Sequence, residues 1–243
     1  FAFTGNMAFD SGLSSCTGRW VQFLMQYDKY VRSSEDHMIP ILTAVGNFEA
    51  EFHQVSVTRE EIQPYLQIFA HSVANVDTSQ PTYHVHKLGT HSSLTVLDSG
   101  ISQTHASQVD FMQTKWGSAA LAATRKFVMY NIPLYPSVSS FSYAPSVNGR
   151  NSWESVFNSY GVLAAFEGHD RTLKRTRRIV NGVISNSAGV VYLGDGSAGV
   201  MQTNKPATRS YIAVAQDVPH FWLVRASETQ TVLQAIDRNG DVL

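Results

Sequence analysis

The sequence predicts an α/β fold with a β-rich second half, and three observations carry that prediction. Apolar runs alternate with amphipathic stretches over the first two-thirds of the chain. The run at residues 39–45 is apolar and rich in β-branched residues, and it stops at Gly46. Beyond Arg178 the pattern changes to short apolar segments separated by turn residues.

Residues 1–4 read as the end of a buried strand. Trp20, Phe23, Leu24, Tyr27 and Tyr30 recur at helical spacing, so residues 18–31 are predicted as a helix. Residues 39–45 and 92–97 are predicted strands, and residues 108–123 a helix. A strand at 126–130 ends before Ile132-Pro133, where proline removes a ladder donor. Residues 137–152 are rich in Ser and Asn and read as a long surface loop. A helix at 153–160 leads into a strand at 162–166 that ends near Gly168. Short strands follow at 179–185, 189–193, 211–215, 221–225 and 231–236. Layers of helix and sheet around one core are the expected architecture, with residues 1–243 as a single domain.

Composition narrows the function classes. With 243 residues, 43% hydrophobic and 15% charged, the chain is long and apolar enough to bury a sizeable core. A formal net charge of −1 gives no electrostatic reason to expect nucleic acid or an anionic membrane. No apolar run is long enough to span a bilayer. The lone cysteine, Cys16, excludes an internal disulfide and a cysteine-based metal site. No Asn-x-Ser/Thr sequon occurs. Phe1 opens directly on a strand-like stretch with no leader, so residues upstream of it are expected.

Four predicted strand ends carry polar motifs: Gly5-Asn6-Met7-Ala8-Phe9, Gly46-Asn47-Phe48-Glu49, Asn131-Ile132-Pro133-Leu134-Tyr135 and Gly168-His169-Asp170-Arg171. Sites in α/β sheets gather where strands end, because loops there can aim side chains at one point. In type, order and spacing these motifs resemble those of the purple acid phosphatases and their metallophosphoesterase relatives. That family carries Gly-Asp-x-x-Tyr, Gly-Asn-His-Glu, His-x-Pro-x-Tyr and Gly-His-x-His. Leu97-Asp98-Ser99, Arg175-Thr176 and Val191-Tyr192-Leu193-Gly194 add to the likeness.

The resemblance implies a four-layer α/β/β/α sandwich lacking the family's first, Asp-bearing strand, which would lie upstream of Phe1. It also implies a site for two metal ions roughly 3.5–4 Å apart that activate a hydroxide. Here the residues depart from the family. Its bridging Asp falls on Asn6, its ligating Tyr on Phe9, one ligating His on Asn131, and its last His on Arg171. The catalytic His falls on Phe48. Only Asn47 and His169 match metal ligands, both for the second ion, so no cofactor is expected, or at most one weakly bound divalent metal. An arginine is a fixed cation with no lone pair to donate.

The expected function is a catalytically inactive domain with a structural or binding role, with protein partners or self-assembly. The alternatives are a phosphoesterase with an altered metal site and an anion sensor in which Arg171 holds a phosphate-like group. The family suggests an exported protein. Gly194-Asp195-Gly196-Ser197-Ala198-Gly199 matches a dinucleotide fingerprint, but residues 202–210 lack the helical pattern that fingerprint needs, so a turn is expected. His84 and His86 share one strand face without a third ligand. Lys174, Arg175, Arg177 and Arg178 read as a solvated basic face.

Overall fold

The computed structural model describes residues 1–69, 81–122, 124–194 and 205–243. The fingerprint-like stretch Asp195–Gly199 lies outside them. The elements run β1 (Ala2–Phe3), α1 (Gly18–Tyr30), β2 (Leu42–Thr43), α2 (Gln63–Ile68), β3 (His84–Leu88), β4 (Ser92–Val96), α3 (Val109–Gly117) and β5 (Arg125–Tyr130). They continue with α4 (Ala144–Ser159), β6 (Val162–Glu167), β7 (Leu173–Thr176), β8 (Arg178–Val180), β9 (Val183–Ser185) and β10 (Val191–Gly194). The last are β11 (Ile212–Gln216), β12 (His220–Ala226) and β13 (Thr231–Asp237).

A seven-stranded sheet of order β11-β7-β10-β6-β5-β4-β3 organises the described residues. Its centre, β4, β5, β6 and β10, is parallel; β3 and β7 flank it antiparallel, and the edge strand β11 runs antiparallel to β7. Strand alternation sends successive side chains to opposite faces. Val128 and Tyr130 of β5 join one core with Met112 and Trp116 of α3 and Trp153, Val156 and Phe157 of α4. Phe127 and Met129 face the other way, into a core shared with Leu42, Ala44, Trp222 and Leu233. There the second layer consists of two small sheets, parallel β1-β2 and antiparallel β12-β13. A third core packs Trp20 of α1 and Tyr65 and Leu66 of α2 outside β2. The α/β expectation and its four layers match this stacking. Each fully buried aromatic contributes on the order of 2–3 kcal/mol.

Several expectations are corrected. Residues 137–152 are not a surface loop. Ser137 is buried, and α4 starts at Ala144 and buries Pro145, Ser146 and Gly149. The helix comes so close that a Cβ on Gly149 would lie 2.7 Å from Leu134 Cδ1, so small residues replace the apolar ones that would have marked it. The strand expected at 179–185 is the hairpin β8-β9, turned by Asn181 and Gly182, both with positive φ. Pairing at 39–45 is confined to Leu42–Thr43, and α3 stops at Gly117. Elements β7 and α2 were not expected.

Lys174 is the sharpest correction to the solvated basic face. Its side chain is 1% exposed, and Nζ donates to Glu167 Oε2 at 2.5 Å and to the Tyr135 carbonyl at 2.8 Å. Glu167 Oε1 also accepts the Tyr130 hydroxyl and the Leu134 N–H, each at 2.7 Å. The pair thus fastens the loop after β5 to the sheet. Arg175, Arg177 and Arg178 are exposed.

Removing one partner of a buried ion pair strands the other. Lys174→Met is therefore expected to destabilise the chain by about 3–5 kcal/mol, whereas Arg177→Met changes it by less than about 0.5 kcal/mol. Urea unfolding of both variants measures the contrast.

Candidate functional site

Strands β1, β2, β4, β5 and β6 end on one edge of the sandwich, and their loops bring the four motifs together. Asn131 Nδ2 donates to the Thr4 carbonyl at 2.8 Å, and its Oδ1 accepts the Asn47 N–H at 3.4 Å. Asn6 Oδ1 accepts the Phe48 N–H at 3.1 Å. Asn47 and His169, 122 positions apart, meet through Asn47 Oδ1 and His169 Nδ1 at 3.2 Å. A carbonyl oxygen only accepts, so His169 Nδ1 is the donor. Asn47 Nδ2 donates to the His53 carbonyl at 3.2 Å.

The remaining positions form a stack. The Phe9 and Phe48 rings lie 4.5 Å apart, and the Arg171 guanidinium carbon is 5.1 Å from each centroid. This is cation–π distance. The half-buried Arg171 is thus placed among the motifs rather than in the basic run that follows it. His53 packs on Phe48 at 4.2 Å, and Tyr143 stacks over His169 at 6.4 Å and 17°. Burial lowers the His169 pKa; Arg171 adds to this and Asp170 opposes it, so the imidazole is neutral at physiological pH.

Close approach and backbone strain mark the site. A Cβ on Gly46 would sit 2.2 Å from Asn6 Oδ1 and 2.6 Å from Asn6 N. Only glycine lets the two loops touch there. Asn6, Phe9, His169 and Arg171 all have φ between 54° and 68°. Asn tolerates that region, while the other three are strained by about 1 kcal/mol or more each.

Two carboxylates matter that sequence reasoning left without a role. Glu49 is fully buried and accepts the N–H groups of Asn6, Met7 and Gly46 at 2.7–3.0 Å. The signal was present: a carboxylate three residues after Gly46 is capping-box spacing. Asp170 accepts the N–H groups of Ser137, Val138 and Ser139 at 2.7–3.2 Å. Burial alone would raise the Asp170 pKa, but Lys174 and the hydrogen bonds from Ser139 and Val138 outweigh it and hold the group low. Burial pushes Glu49 up to about 7 against the pull of its N–H donors.

Chemically, Asn47, Asn131 and His169 offer neutral oxygen and nitrogen donors around one point. Among the described residues, no group of three or more His, Cys, Asp and Glu could hold a metal ion. His84 and His86 lie on edge strand β3 with rings 4.8 Å apart and are not among the motif positions. No described helix is long and apolar enough to cross a membrane.

Comparison with solved structures gives the architecture its place. The chain aligns over 98% of its length with the purple acid phosphatase PPD1 from yellow lupin seeds, at 17% identity and a TM-score of 0.77. The fold is that of the metallophosphoesterases. GAP50, the anchor in the inner membrane complex of Plasmodium, shares the metallophosphoesterase fold over 93% of this chain and 70% of its own, at 13% identity and a TM-score of 0.58. PhoD matches over 84% of this chain and 55% of its own, at 10% identity and a TM-score of 0.57. The chain spans 44% of the lupin protein. No family model and no curated protein matches the sequence.

Glu49 makes stability depend on pH. Its pKa rises from the ordinary 4.5 to about 7 on folding, so between those values the folded state binds the extra proton. Its contribution is therefore present at low pH and lost as pH rises through 7. Between pH 5 and pH 7.5 the parent is expected to lose on the order of 2–3 kcal/mol relative to Glu49→Gln, which cannot ionise, in urea unfolding at each pH.

Proposed function

We propose that this chain is a catalytically silent domain of the metallophosphoesterase fold with a structural or binding role. The observation that carries the reading is the Phe9–Phe48–Arg171 stack. By the motif resemblance these three positions correspond to a tyrosine ligand, the catalytic histidine and a histidine ligand. Here they hold two hydrocarbon rings and a fixed cation. A divalent ion about 5 Å from the guanidinium would be repelled by roughly 6–7 kcal/mol at an effective dielectric constant of about 20. With Asn6 at the bridging position, the bridge is a neutral amide and brings no negative charge to offset this.

The residues therefore do not fit a two-metal centre. Asn47 and His169, the two positions that match ligands, bond to each other instead. One divalent ion on Asn47, His169 and Asn131 would have to break that contact and would bind only weakly. GAP50, described as an anchor, supports a structural use of this fold, although at 13% identity it speaks for the architecture alone.

Elemental analysis after incubation with zinc, manganese and iron is expected to find fewer than one tightly held metal per chain. Hydrolysis of p-nitrophenyl phosphate and its bis-ester is expected to stay at background. Two metals per chain together with hydrolysis would replace this reading with a phosphoesterase of altered metal chemistry. Arg171→Ala is expected to cost about 1–2 kcal/mol in thermal melting, from two lost cation–π contacts. Phosphate that stabilises the parent but not the variant would favour the anion-binding reading instead.

A further inference from the structure

A cavity of about 440 Å³ is lined by none of the motif positions. Its size falls within that of small-molecule sites, roughly 300–1,000 Å³. Three segments wall it: residues 56–57, the loop 100–106 after β4, and the side of α4 that carries Pro145, Asn148 and Ser152. Helical spacing puts those three on one face. The walls are fastened to one another. Ser56 and Val57 donate their N–H groups to the carbonyls of Gly100 and Ile101, each at 2.8 Å. Gln108 Nε2 donates to the carbonyls of Asp98 and Thr104 at 2.7 and 3.0 Å, which fixes the curve of the loop. Trp153 Nε1 donates to the His105 carbonyl at 2.7 Å and ties the loop to α4. The cavity is thus preformed, and a ligand need not order it.

Its polar side chains take no part in that framework. Among the described residues, the side chains of Ser56, Gln103, Asn148, Asn151 and Ser152 make no hydrogen bond. His105, only 3% exposed, forms the floor, its ring packed on Trp153 at 4.4 Å. Its Cε1 faces Gly100 and its Cδ2 faces Gly149, so Nε2, between them in the ring, points between the loop and the helix. That nitrogen is buried and has no partner among the described residues. Burial lowers the His105 pKa to about 4, so the floor is neutral.

No Asp, Glu, Lys or Arg among the described residues lines the cavity. A phosphate ester or a carboxylate finds no counter-charge there, and an ammonium group finds none either. An apolar ligand would strip water from hydroxyls and amides without replacing its hydrogen bonds. Hydroxyl and amide side chains both donate and accept, as the hydroxyls of a sugar do, so the two sets can pair in either direction.

We propose that this cavity binds a small neutral sugar, held by hydrogen bonds from Asn148, Asn151 and Ser152 of α4 on one side and from Ser56 and Gln103 on the other. This does not rest on the loss of catalysis.

The probes are glucose, galactose, maltose and sucrose, followed by saturation-transfer NMR and calorimetry. Saturable binding of at least one is the expected result. Asn148→Leu combined with Asn151→Leu preserves the fold, because both residues are exposed on α4 and leucine favours helix more than asparagine. It is expected to weaken that sugar at least about tenfold with no loss of melting temperature. Ser56 has φ 60°, which glycine adopts without strain, so Ser56→Gly removes a hydroxyl from the opposite wall alone. It is expected to weaken binding about threefold, and it decides the question by itself should the double variant melt early. Arg171→Ala, at the motif edge, is expected to change nothing. Three results would overturn the proposal: saturable binding of none of the four sugars, equal binding by the parent and the α4 variant, or tighter binding of glucose 6-phosphate than of glucose, which would assign the cavity to an anion.

Discussion

Buried backbone N–H groups need acceptors, and the loops at the top of this sheet are buried. That requirement organises the site edge of the molecule. An orphaned N–H out of reach of water costs about as much as a lost hydrogen bond, and loops have no ladder to absorb theirs. Four buried carboxylates meet the need. Glu49 gathers the loops after β1 and β2. Asp98 takes the N–H groups of Ile101 and Ser102 and the Thr82 hydroxyl. Glu167, neutralised by Lys174, holds the loop after β5, and Asp170 holds the next three residues of that loop. A carboxylate suits the task because two oxygens can take several donors at once.

What was legible in the sequence follows from the same physics. Four strands end in polar motifs, three of them bearing glycine, and those motifs could be read in order because strand ends and glycine-dependent contacts leave strong local marks. Gly46 beside Asn6 is such a mark. The buried Lys174 was hidden because its neighbours Arg175, Arg177 and Arg178 are exposed, and one-dimensional charge density cannot separate a paired cation from solvated ones. The first half of α4 was hidden because close packing against Leu134 and His105 requires Gly149, which, like the buried Ser146, resembles a loop residue. The β8-β9 turn was visible as Asn181-Gly182, a strong hairpin signal, and was overlooked inside an apolar run.

The placement of the four carboxylates bears on how such a site can change while its scaffold persists. None occupies a position that the motif resemblance assigns to a metal ligand. Glu49 follows the second motif's ligand by two residues, Asp170 lies between two ligand positions, Glu167 closes β6 and Asp98 lies two residues past β4. The loops are therefore held by one set of residues, and metal chemistry in the resembling family is assigned to another. Substitution in the second set leaves the first intact.

The amides that stand in the second set add to the scaffold. Asn131 donates to Thr4 and accepts from Asn47, joining the ends of β1 and β2, a pair of roles that an imidazole could fill only with its two nitrogens differently placed. Asn6 accepts from Phe48, and the Asn47–His169 contact closes the gap between the second and fourth motifs. Strained φ values at Phe9, His169 and Arg171 persist nonetheless. Strain of this kind survives only where surrounding contacts over-determine the backbone. Here those contacts are the carboxylate-held loops, which fix the strand-end geometry independently of the side chains presented at the motif positions.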